Sequence, residues 1–170
     1  MNANYELLQF YVYKKIIKKK DIENILSECE RLGISARDYL LTKEYTTETT
    51  ELEALAEYYC MPCIELEMLD IDKTLFDKFS FEFMKTNKII PVSFDKNGTL
   101  LVAVGKPLDT ATLSSMSIAF SAPIECILTP PSQIDRYIDS ISAVITTSAA
   151  LHDLNAEKDD QLFGKNDASG

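Results

Sequence analysis

Cys60-Met61-Pro62-Cys63 places two thiols at the spacing of a zinc half-site or a dithiol redox couple. A structural zinc site needs a second paired half-site, and Cys29 and Cys126 each stand alone. A thioredoxin-like motif follows a strand and opens a helix. Here the motif closes a helical pattern and precedes a short apolar run, the reverse order. The start, MNANYELLQF, lacks the basic-then-apolar form of a secretory leader, so no disulfide framework is expected and the four cysteines read as buried thiols. His152 is the single histidine and sits where a polar tail begins, with nothing near it in sequence to orient a general base. The chain contains no GxSxG elbow, no HExxH pair and no GxxxxGK[ST] loop. Gly105-Lys106-Pro107 does not replace a phosphate loop, because Pro107 removes a donor that an anion nest would use. These residues predict no enzyme, no metal and no cofactor.

One charged cluster stands out. Lys14, Lys15, Lys18, Lys19 and Lys20 fall within seven positions of a chain whose net charge is -10. The cluster reads either as a solvated helix end or as a docking surface for an acidic partner, anionic lipid or nucleotide phosphate. The overall acidity argues against a nucleic-acid polymer as partner, because a phosphate backbone repels such a surface.

The elements that position these groups are readable from periodicity. The chain has 170 residues, 46% hydrophobic and 26% charged, enough for one ordinary domain or two small ones. No run approaches the roughly 20 apolar residues of a membrane span, and the cytoplasm is the expected location. Leu8, Tyr11 and Val12 have helical spacing within residues 5–17. Asp21 is placed to cap a helix whose stripe is Ile22, Ile25, Leu26 and Cys29, and Gly33 stops it. Ser35 opens a short helix with Tyr39 and Leu40 inward. Thr47 or Thr49 opens another, with Leu52, Leu55, Ala56 and Tyr59 on its apolar side. Phe10–Ile16 resembles Tyr39–Tyr45 at a separation of about 29 residues, which suggests a duplicated helix-turn-helix unit.

The second half changes character. Asp72 is placed to cap a helix carrying Leu75, Phe76, Phe79 and Phe83, an aromatic stripe read as core. Two apolar runs, Ile89 to Phe94 and Leu100 to Val104, flank Asp95-Lys96-Asn97-Gly98, a hairpin signal. The second run is apolar on both faces and reads as the more buried. Asp109 caps a helix bearing Leu113, Met116 and Phe120, with Ile118 off the stripe. Ile124 to Leu128 forms a third strand, and a last helix carries Ile134, Tyr137, Ile138 and Ile141. The simplest sheet puts the first strand in the middle, antiparallel to both others, although Pro91 suits an edge better. The fold class is therefore α+β: an N-terminal helical subdomain over residues 1–66, then an α/β subdomain with a three-stranded sheet over residues 67–150. Residues 151–170 read as an acidic disordered tail or linker.

The order of these parts resembles a known family. Ala54 to Leu66, ALAEYYCMPCIEL, is similar to the ALAEQ-x-G-x-P-x-[IV]-[DE]-L passage of the N-terminal domain of type II secretion and type IV pilus assembly ATPases. Ile90-Pro91-Val92, Asn97 to Val104 and Pro107-Leu108-Asp109 resemble the same domain's PV…G-x-L-x-VA-x-x-[DN]-P-x-D passage, and Ile124 to Ile134 its closing strand and helix. The resemblance spans about residues 5–145. It implies a non-catalytic docking or regulatory domain ahead of a RecA-like motor. Its implied partner is the cytoplasmic part of an inner-membrane component, or the ATPase domain of the same chain. Its implied location is cytoplasmic, peripheral at the inner membrane through that partner.

Some members of this family bind cyclic di-GMP through a repeated RLGxx[LVI][LVI]xxG[LVI][LVI]xxxxLxxxLxxQ pattern, so the alternative function is a cyclic di-GMP sensor. This sequence departs from the pattern. The second RLG falls on Ser35, Ala36 and Arg37, its central glycine on Glu44 and its glutamine on Tyr58. In the first repeat the central glycine falls on Lys15 and the glutamine near Cys29, while Arg31-Leu32-Gly33 lies about four residues out of register. Arginine forks onto phosphate or guanine and glycine lets the backbone approach a ligand, whereas Glu44 repels phosphate. The ligand-binding candidates that remain are Arg31, Arg37, Lys14 and Lys15.

Overall fold

The computed structural model describes the backbone of residues 3–163 and the side chains of residues 4–148. Four helices come first: α1 (Ala3–Tyr13), α2 (Ile22–Leu32), α3 (Ala36–Thr42) and α4 (Glu48–Tyr59). Their boundaries follow local chemistry. Ser35 accepts from the Asp38 amide and Thr47 from the Thr50 amide, so both hydroxyls satisfy donors the first helical turn leaves free. Gly33 closes α2 in the left-handed region at φ 66°. Asp21 occupies the position before α2 but is itself helical, and its carboxylate makes no capping bond. A 3-10 turn at Lys19–Asp21 leads directly into α2 and takes over that role.

The turns after α1 and α3 share one backbone pattern. After α1, the amides of Lys14, Lys15 and Ile16 bond the carbonyls of Phe10, Val12 and Tyr11. After α3, the amides of Lys43, Glu44 and Tyr45 bond those of Tyr39, Leu41 and Leu40, the same pattern 29 positions on. Lys15 and Glu44 sit at φ 60° and 56°, in the left-handed region that favours glycine.

Three corrections follow in the second half. The aromatic stripe is not one helix: a 3-10 segment, Lys73–Lys78, capped by Asp72, is followed by α5 (Phe81–Asn87), capped by Ser80. The sheet order is also different. Strands β1 (Ile89–Phe94), β2 (Leu100–Val104) and β3 (Ile124–Leu128) lie in sequence order, so β2, not β1, is central. It pairs antiparallel with β1 and parallel with β3, to which it is connected through α6 (Thr110–Phe120). The chemistry of the strands explains this. Four of the five β2 residues are fully buried, whereas Pro91 lacks a ladder donor and Val92 leaves the ladder at a register shift. The Val92 carbonyl accepts instead from the Asp72 amide at 2.7 Å. The hairpin turn uses only Gly98 in the left-handed region, at φ 79°, while the Asp95 carboxylate holds the amides of Asn97 and Thr99.

The third correction concerns the end of the chain. Helix α7 (Pro131–Phe163) carries helical backbone well into residues 151–170, which read as a tail or linker. Residues 153–163 contain Ala, Glu, Lys, Gln and Leu and no Gly or Pro, so nothing local interrupts the helix. Residues 164–170, and the side chain of His152, lie outside the described residues.

The larger core joins both halves. Ile89, Ile90, Leu100, Val102 and Val104 of the sheet pack with Met116, Ile134 and Ile138 of the helices and with Leu52 and Leu55 of α4. A second cluster lies inside the helical half, built on Leu8, Tyr11, Ile25, Leu40 and Ala54.

Candidate functional site

The residue that ties the helical half to the sheet is Arg37. It projects from α3, where Ser35 sets the first turn, and its Nε donates to Glu51 Oε2 of α4 at 2.6 Å. Its Nη1 donates to the backbone carbonyl of Gly105, at the end of β2. Tyr11 of α1 donates its hydroxyl to the other Glu51 oxygen at 2.7 Å. Glu51 is fully buried, so both of its oxygens are satisfied inside the protein. Burial, then the Glu51 carboxylate, hold the Tyr11 hydroxyl far above the ordinary tyrosine range. Arg37 Nη2 is buried without a hydrogen-bond partner among the described residues.

A cavity of about 450 Å³ opens beside this bridge, lined in part by Arg37, Glu48, Tyr59, Lys88, Gly105 and Lys106. Most of its charges are already engaged. Lys88 is paired with Asp135 of α7, and Glu48 accepts from both the amide and the hydroxyl of Ser132. Gly105 is held tightly: a Cβ there would lie 3.0 Å from Lys88 Cβ and 3.1 Å from Pro131 Cγ. A larger open groove of about 650 Å³ runs between residues 66–71 and α7, lined by Leu66, Leu69, Ile71, Gln133, Arg136 and Tyr137. Gln133 fixes one wall by accepting from the Leu66 amide at 2.8 Å. Met68, beside it in sequence, is largely exposed.

The four candidate ligand residues do not converge. Arg37 engages Glu51 and Gly105 through Nε and Nη1. Arg31 is exposed and forks onto Glu28 one turn earlier in α2, with both contacts between 2.8 and 3.0 Å. Lys14 pairs with Glu57 of α4, and Lys15 is exposed in its left-handed turn. Glu51, which organises the bridge, was not among the sequence candidates. Its signal was only that it lies four residues before Leu55, on the inward side of α4.

The cysteine expectation needs correction as well. Cys29 is buried and Cys126 half-buried, but Cys60 and Cys63 are exposed. Cys60 ends α4 in the left-handed region at φ 52°, and Cys63 bridges Leu128 at the margin of the sheet. Burial, with Glu65 and Glu53 nearby, pushes the Cys63 thiol up. Burial pushes Cys126 up to about 11. No group of three or more potential metal ligands occurs among the described residues. No helix among them is long and apolar enough to cross a membrane.

A family model described as the MshEN domain matches residues 59–146. The chain belongs to the MshEN domain family. Among solved structures, MshE with cdg superposes with a TM-score of 0.67 at 18% identity, covering 82% of this chain and 99% of that one. The N-terminal domain of XpsE superposes with a TM-score of 0.66, also at 18% identity, covering 82% and 96%. No curated protein matches. The MshEN match spans the end of α4, the sheet and the first half of α7, and the two structures each cover a larger share of the chain than the family match does. These relatives are N-terminal domains of type IV pilus and type II secretion ATPases, and the MshEN domain is distinct from the catalytic ATPase domain.

Proposed function

We propose that this MshEN domain is a non-catalytic docking and regulatory module of a type II secretion or type IV pilus assembly ATPase. The observation that carries the reading is the use of Arg37. Arg37, at the junction of the two halves, directs its Nε to Glu51 and its Nη1 to the Gly105 carbonyl, so it acts as a clamp within the domain. What stays open is a groove with apolar walls at Leu69 and Ile71 and a polar rim at Arg136 and Gln133, the make-up of a protein interface. Its partner is the cytoplasmic part of an inner-membrane component of the machine, or the motor domain that follows in such ATPases. The location this implies is the cytoplasmic face of the inner membrane. The test is complex formation with these cytoplasmic domains, measured by light scattering after gel filtration. A stable complex that Leu69→Glu abolishes is the expected result. Absence of a complex with any of them would overturn the reading.

A second reading, a cyclic di-GMP sensor, is favoured by one observation: both repeat turns keep their left-handed residue, at Lys15 and Glu44, in a fold similar to MshE with cdg. Calorimetry with cyclic di-GMP decides it. No heat at high micromolar ligand would sink this reading and leave the docking role intact.

A further inference from the structure

Four lysines of the cluster, Lys15, Lys18, Lys19 and Lys20, do no structural work, and the similar turn after α3 supplies the control. The turn after α1 and the turn after α3 share one backbone, down to the left-handed residue and the three hydrogen bonds around it. The match continues one step further: Lys18 and Thr47 are both extended, at φ -95° and -90°, ahead of the next helical segment. The side chains differ completely. Where the first turn carries Lys15, Lys18, Lys19 and Lys20, the second carries Glu44, Thr47, Glu48 and Thr49. The same geometry therefore folds without any of these lysines.

The four lysines are all exposed, and no ion pair involves them among the described residues. Lys14, the fifth, is tied to Glu57. They are displayed on a firm base, because Ile17 and Ile22 are buried on either side and Tyr11 beneath accepts two turn amides through its carbonyl. Lys15, Lys18 and Lys20 rim a concavity of about 310 Å³ that also contains Ile16, Asp21 and the ring of Tyr45. Tyr13, just before the cluster, is one of the most exposed large side chains of the domain, at 74%.

We propose that this turn is a contact surface for an anionic lipid bilayer. The residue type favours a diffuse negative field: ammonium groups on flexible stems act as point charges, and the cluster contains no arginine fork for bidentate recognition of one carboxylate or phosphate. Tyrosine beside lysine suits the headgroup level, where an amphipathic ring keeps one end wet. The net charge of -10 makes the rest of the surface repellent to the same bilayer, so contact occurs through this turn and orients the domain. The surface acts directly and does not depend on the docking partner proposed above.

Sedimentation of the full chain with vesicles tests this. The vesicles are mixed phosphatidylglycerol and phosphatidylcholine, or phosphatidylcholine alone. Binding is expected to the anionic vesicles only, and to vanish in about 1 M salt, where the Debye length is about 3 Å. Each lysine neutralised near such a surface lowers partitioning about fivefold, so Lys18→Gln with Lys19→Gln is expected to lower it about 25-fold. Lys18→Arg with Lys19→Arg retains binding, as does Lys73→Gln with Lys78→Gln on the other half. Circular dichroism establishes that each variant is folded. Equal binding of the glutamine pair and the parent overturns the proposal, as does equal binding to both vesicle types. Retention on polyglutamate without binding to anionic vesicles also overturns it, and assigns the turn to an acidic protein segment.

Discussion

Glu51 is a charge with no access to water, and it persists because three chain segments converge on it. Tyr11 and Arg37 fill its two oxygens, and Arg37 passes the connection on to Gly105. Glu51→Ala strands the guanidinium in the interior and should lower stability by about 3–5 kcal/mol, read as a shift of the urea midpoint. The tyrosine adds a pH dependence whose sign is definite. Its folded-state pKa is raised, so its contribution is complete below the unfolded value of about 10 and is lost as pH rises beyond it. Stability should therefore fall through the alkaline range, and Tyr11→Phe should flatten that fall. A Tyr11→Phe variant with an unchanged alkaline slope would place the effect elsewhere. The left-handed turns carry a different prediction. Glu44→Gly removes side-chain strain at φ 56° and should raise stability by about 1 kcal/mol, measured the same way. The role of Glu51 was not visible to pattern reading, because it is one more acidic residue in a helix that also contains Glu48, Glu53 and Glu57.

Among the elements, the central strand and the two helix ends that meet it decide the architecture. Gly105 follows β2 directly and lies against Lys88 and Pro131, the residues that end α5 and open α7. Gly105→Ala forces a Cβ to 3.0 Å from another side-chain carbon, and should cost about 1–3 kcal/mol with the Arg37 contact displaced as well. The cysteines yield a prediction about reactivity. Cys63 and Cys126 are held above the ordinary thiol range, and Cys29 is both buried and raised. Labelling with a thiol reagent near neutral pH should modify the exposed pair first, Cys126 slowly and Cys29 only on unfolding. Rapid modification of all four would contradict these environments.

At the scale of the molecule, the two halves share one buried core. Leu52 and Leu55 of the helical half belong to the same buried cluster as the sheet, and Arg37 adds a polar bridge across the junction. A single urea transition is expected, with far-ultraviolet circular dichroism and tyrosine fluorescence giving one midpoint. Separate midpoints would mean that the helical half opens independently. The division into a helical part and an α/β part, and the α+β class, were legible because periodicity changes from helical to alternating near Lys88, and because caps such as Ser35, Thr47 and Asp109 act within one turn. Strand order was not legible, since it depends on which neighbours complete the ladder, and that is decided by long-range pairing.

The sequence by itself determined the local events: where most helices start and stop, which faces are apolar, that a turn falls at Gly98, and the family resemblance carried by the order of short motifs. It also determined the basic turn at Lys14–Lys20, whose charges need no partner in the fold to be seen. The tertiary structure alone decided that β2 is central, that Arg37 is a clamp, that Glu51 is buried, and that Cys60 and Cys63 face outward. The physical reason is range. Capping and amphipathic spacing act over three or four residues, whereas the bridge from Arg37 to Gly105 spans 68 positions and exists only once two separately patterned halves have closed on each other.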